Sequence, residues 1–144
     1  MRARRVSNQP IRLAAGAFIL NAGIEKMSAD EERAKLLHGM AKDSFSFFEP
    51  LPPEQFAKGL ALAEIAIGSA LLLPLIPDRL AGLALTPFAG GLLYMYAQND
   101  AMHRPDSLRP TGAGTALAKD VWLLGIGLTL LASRKRRPRQ PRQA

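Results

Sequence analysis

The sequence contains no cysteine, which excludes a disulfide framework, thiolate metal sites and thiol–disulfide chemistry carried by this chain. Histidine is nearly absent too. His38 and His103 both fall between the apolar blocks. A buried bis-histidine haem site within the spans is therefore not expected, and two isolated loop histidines make a poor metal centre. No glycine-rich phosphate loop is present, because "GAGT" follows no strand pattern. No Ser/His/Asp arrangement stands out either. No catalytic residue, metal or cofactor is therefore expected. Acidic residues are missing from both ends: Arg2, Arg4, Arg5 and Arg12 open the chain, and "RKRRPRQPRQA" closes it, without a carboxylate among them. Stacking aromatics are also missing from that basic tail, which argues against nucleic acid as its partner.

What is present is apolar and blocked. The 144 residues suffice for one domain, and 48% are hydrophobic. Four strongly apolar blocks cover about 11–27, 56–76, 80–97 and 117–132, each near the roughly 17–25 residues that an apolar helix needs to cross a bilayer. The basic flanks lie beside the first and last block, as expected of cytoplasmic ends. Four spans return the chain to the side it started from, so the helix count and the charge placement agree. The first block could be a secretory signal, but "LNAG" is a poor mimic of a small-residue cleavage site, and a retained helix is the reading adopted.

The expected architecture is all-α: a four-helix transmembrane bundle over 1–133 with a short amphipathic helix in the outer loop after helix one. A disordered basic cytoplasmic tail, 134–144, follows it. Pro10 suits a first helical turn, and Arg12 is placed to snorkel to the headgroups. Gly16 and Gly23 lie one heptad apart with Ala15 and Ala22, a face of small residues. In the outer loop, Ser28 with Glu31 fits a capping box, and Leu36, Leu37, Met40 and Phe45, Phe47, Phe48 give an apolar side. That helix either lies on the membrane face or packs on the bundle. The turn "PLIPDR" is short, so the helices it joins are antiparallel neighbours. Pro87, in mid-helix, predicts a kink.

Charges inside the blocks are few and gathered at one depth. Glu64 lies eight residues past Phe56, about 12 Å along a helix. Glu25 and Lys26 fall at the outer end of the first helix, with Asn21 one turn below, and Lys119 and Asp120 open the last. Intramembrane charges face the bundle interior and pair. The candidate site is therefore the cluster Asn21, Glu25, Lys26, Glu64, Lys119 and Asp120, with Glu64 pairing to Lys119 or Lys26. Such a network either fixes helix register or forms a polar pocket in the outer half of the bundle for a small molecule, a quinone headgroup or a proton.

"IRLAAGAFILNAGIEKM", "LALAEIAIGSALLLPLIPDRLAGLAL" and "ALAKDVWLLGIGLTLLA" together resemble the DoxX family of small bacterial four-helix membrane proteins. Arg12, Gly16, Gly23 and Lys26 match its first-helix pattern, and Glu64 with Gly68 its E-x-x-x-G. Lys119–Asp120 stands where the family has lysine–asparagine, which makes the site more acidic. The resemblance implies residence in the bacterial inner membrane and, in some members, association with quinone-linked or other redox complexes.

The first functional expectation is a non-enzymatic accessory subunit of a membrane complex, with other subunits as partners and anionic lipid at the basic termini. The alternative is a small-molecule or quinone-binding membrane protein. A packed charge cluster fits the first, and an accessible cavity beside Glu64 and Lys119 fits the second. A stand-alone transporter has less behind it, because four helices without a repeat give little basis for alternating access.

Overall fold

The computed structural model describes residues 7–133. Arg2, Arg4, Arg5 and the basic segment 134–144, read above as cytoplasmic flanks, lie outside the described residues. The described chain is helical, without a strand. Its elements are α1 (Gln9–Met27), α2 (Glu31–Ser44), a 3-10 turn (Ser46–Phe48), α3 (Pro53–Leu72), α4 (Asp78–Gln98), α5 (Thr115–Ala118) and α6 (Val121–Ala132). Three helical stretches are long and apolar enough to cross a membrane: Pro53–Leu72, Asp78–Gln98 and Thr115–Ala132. The fourth expected span, α1, has 19 residues but carries Arg12, Glu25 and Lys26.

The helices pack as two pairs, α1 on α3 and α4 on α6. Glycine sets both contacts. A Cβ on Gly68 would lie 2.6 Å from the Leu20 backbone nitrogen, and one on Gly23 would lie 2.8 Å from the Ala61 carbonyl. In the second pair, a Cβ on Gly82 would meet the Leu131 nitrogen at 2.7 Å, and one on Gly127 the Thr86 hydroxyl at 2.6 Å. Backbones approach this closely only where side chains are small, and the close contact then gains dispersion energy. Outside these seams the helices stay apolar: Phe18, Leu62, Leu83, Trp122 and Leu128 are all exposed. A helix that is apolar around its whole circumference belongs in hydrocarbon or in a larger core.

Several local expectations are corrected. The α1–α2 joint is capped by Asp30, whose carboxylate accepts from the Arg33 backbone N–H at 2.8 Å. Ser28 instead closes α1 and donates to the Glu25 carbonyl at 3.3 Å. The shorter Asx cap wins because helix α2 starts at Glu31, which leaves Ser28 too far upstream to reach its free N–H groups. Helix α2 packs on α3 through Ala34, His38 and Ala41, with Leu36 left exposed. On its outer face, Glu31 accepts from Lys35 one turn on; that hydrogen bond and the attraction between the charges hold the Glu31 carboxyl below its usual range.

His38 is not a surface loop residue. It is buried, its Nε2 donates to the Phe48 carbonyl at 2.8 Å, and its ring meets Phe56 edge-on. Helix α3 stops at Leu72 rather than Ile76, because Pro74 and Pro77 cannot extend the backbone ladder. Helix α4 runs through Pro87. The last span is interrupted at Lys119–Asp120, where the backbone tightens: Asp120 N–H bonds the Leu117 carbonyl at 3.0 Å and Trp122 N–H bonds Lys119 at 3.1 Å.

Arg12 departs most from expectation. It does not snorkel. It is 2% exposed, and all five of its N–H donors are used. Nε donates to the Leu71 carbonyl at 2.9 Å, and Nη2 to Ala70 at 2.9 Å and Leu73 at 2.8 Å. Nη1 reaches Ile76 at 2.9 Å and the Asp78 carboxylate at 2.7 Å. The Ala70 and Leu71 carbonyls are among those left unpaired where α3 ends, those of Leu73 and Ile76 belong to the turn that follows, and a cation there also meets the negative end of the helix dipole. Asp78, the first residue of α4, sits at that helix's positive end. Asn8 completes the knot, donating to Asp78 at 2.8 Å and to the Ser133 hydroxyl at 2.7 Å.

Candidate functional site

At the opposite end of α1, the sequence places charge on apolar helices, and packing decides which charges meet. Residues 57, 61, 64, 68 and 71 share one face of α3, and Ala57, Ala61, Glu64, Gly68 and Leu71 are all buried. Glu64 faces α1 for the same reason that Gly68 does. It is 6% exposed. Lys26, on the matching face of α1, places Nζ 3.1 Å from Glu64 Oε1 and 3.0 Å from Oε2. Both carboxylate oxygens lie within reach of that ammonium, and Glu64 Oε2, which is buried, has no other polar partner among the described residues.

The pair lines a cavity of about 300 Å³ between the two helix pairs. Lys26 and Glu64 stand on one side with Arg33 of α2, and Asp120 enters from the α5–α6 joint. The remaining lining is apolar, with Phe18, Phe56, Phe88 and Met95 among it. Helix α2 roofs this space with Leu37 and Met40 on its inner side. A mostly apolar pocket with a few convergent polar groups has the general form of a small-molecule site.

Of the six residues proposed from the sequence, the structure brings Lys26, Glu64 and Asp120 to this cavity. Asn21 and Glu25 are exposed and bond each other, Asn21 Nδ2 donating to Glu25 Oε1 at 2.8 Å. Lys119 is exposed and lines a different surface depression with Tyr96 and Trp122. Adjacent residues at a tightened helical turn point apart, so Lys119 and Asp120 cannot both face inward. Glu64 pairs with Lys26, and Lys119 forms no ion pair among the described residues. Arg33 is the lining cation that the sequence reading missed. It lies outside every apolar block, and only the docking of α2 on the bundle brings it near.

No family model matches this chain, and neither a curated protein nor a solved structure matches it.

Proposed function

We propose that the chain is an integral membrane protein whose α1, α3, α4 and α5–α6 segments form a four-helix bundle that binds a small molecule in the cavity at Glu64. Helix α1 joins as the fourth span despite its three charges. Arg12 has every donor satisfied, Lys26 is paired, and Glu25 lies at the helix end. Its 19 residues extend about 28 Å, close to the hydrocarbon thickness. The arginine-rich flanks support cytoplasmic termini, and the DoxX-like motifs support a bacterial inner membrane.

One observation carries the choice of a ligand over an accessory role: the buried Glu64–Lys26 pair lines an open cavity that Arg33 and Asp120 line as well. A cluster that only fixed register would close on itself. Charged groups that line such a space call for a water, an ion or a ligand beside them.

The test is extraction of the protein from its own membrane in polymer-bounded lipid discs, followed by mass spectrometry of what it carries. Wild type should retain a defined small molecule near one per chain, and Glu64→Gln should lose it. A copurifying polypeptide with no small molecule would return the assignment to an accessory subunit.

A further inference from the structure

A second cavity, of about 390 Å³, lies between α3 and α4 beneath the 3-10 turn. Its walls are Phe48 from that turn and Phe45 just before it, Gly59 and Ala63 from α3, and Pro87 and Gly91 from α4. Gln55 is the one polar side chain among those lining it. Phe56, Leu60, Phe88, Leu92 and Met95 line this groove and the Glu64 cavity alike. A single layer of side chains therefore separates an apolar groove from a polar chamber. Four of those five are only half-buried.

The glycines at the groove have no packing explanation. A Cβ on Gly59 or Gly91 would meet nothing within 4 Å, in contrast to Gly23, Gly68, Gly82 and Gly127, where backbone or side-chain atoms are already in the way. Glycine weakens a helix relative to alanine. At positions 59 and 91, as at Gly39, Gly90 and Gly125, no helix contact requires glycine; at 59 and 91 the missing side chain leaves space open in the groove.

We propose that the groove and the chamber are two parts of one site for an uncharged, hydroxyl-bearing amphiphile that enters from the bilayer between α3 and α4. The proposal rests on the ligand-binding reading above. The hydroxyl donates to the Glu64 carboxylate, which lines the chamber and whose one ammonium partner among the described residues, Lys26, leaves it capacity for a further donor. The head is uncharged because the chamber's charges already balance, Lys26 and Arg33 against Glu64 and Asp120. The hydrocarbon tail lies along the phenylalanines and fills the space that Gly59 and Gly91 leave.

Two photoreactive alcohols in lipid nanodiscs test this, a butanol and a dodecanol, each with a diazirine at the tail end and crosslinks mapped by peptide mass spectrometry. Both should label wild type, the short one on peptides around Glu64 and the long one on the groove peptides containing Phe45–Phe48 and Pro87–Gly91. Gly59→Leu combined with Gly91→Leu should cut groove labelling by the long alcohol about tenfold, the effect of losing roughly two buried methylenes. The short alcohol should still label the chamber in that variant. An unchanged thermal midpoint certifies its fold. Groove labelling that persists in the filled variant, or a long alcohol that labels only where the short one does, overturns the tail site while leaving the chamber standing. If neither alcohol labels around Glu64, or that labelling survives Glu64→Gln, the ligand-binding reading fails and takes this inference with it.

Discussion

The two ends of α1 each hold a buried ion pair, and they are built differently. At one end, Arg12 spends every N–H on a helix terminus, a turn and one carboxylate. At the other, Lys26 is the one cation paired with Glu64 among the described residues, and the pair stands beside an open cavity. A saturated ionic site fastens helices together. An incompletely satisfied one keeps interaction capacity for something else. Buried ion pairs are weak evidence of stability in general, because desolvation offsets attraction. What separates these two is the number of backbone carbonyls that depend on the cation.

The largest effect should come from the saturated end. Arg12→Leu strands the α3 carbonyls and Asp78, and should lower unfolding free energy by about 3–5 kcal/mol, measured by denaturant titration in lipid discs. Arg12→Lys should recover little, since an ammonium cannot cover five acceptors in fork geometry. Recovery to wild type by lysine would break the distinction between the two ends.

Next in size is the helix seam. Gly68→Ala drives a methyl into the Leu20 backbone and should cost about 1–3 kcal/mol. Gly90→Ala, where a Cβ meets nothing, should stabilise by up to about 1 kcal/mol. The pair measured side by side separates close approach from propensity.

The Lys26 end should respond to charge in a different way. Removing Lys26 or Glu64 alone strands a charge, but Lys26→Met with Glu64→Leu should return to within about 1 kcal/mol of wild type. Arg12→Leu with Asp78→Leu should not return, because the carbonyls stay unpaired. Equal behaviour of the two double variants would erase the comparison. The smallest effect is Lys119→Ala, expected within about 0.5 kcal/mol because the side chain is exposed and forms no ion pair among the described residues.

Much of this was legible in the residues. Apolar block lengths located the long helices to within a few positions, and proline marked the turn between α3 and α4. The inward face of α3 follows from the spacing of Ala57, Ala61, Glu64, Gly68 and Leu71. The same arithmetic was available for Arg12: positions 12, 16, 19 and 23 share a face, and Gly16 and Gly23 mark it as the packed one. Nearness to a chain end suggested a headgroup contact, and periodicity was the better guide. Other features are tertiary. Asp78 becomes a partner only because a short turn folds it back under Arg12. Arg33 reaches the cavity only because α2 docks, and the choice between Lys119 and Asp120 depends on a local tightening of the last helix that no pattern announces.

The Arg12 knot also has a consequence in time. Its partners run from Ala70 to Asp78, the last of them 66 residues beyond the arginine. At roughly 5–20 residues per second of synthesis, α1 waits several seconds before its acceptors exist. In the proposed membrane setting, a nascent α1 holds an unsatisfied guanidinium throughout that interval. Its final insertion is then a late event, triggered when the α3–α4 hairpin arrives, and truncations ending before Asp78 should leave α1 accessible to water-soluble reagents.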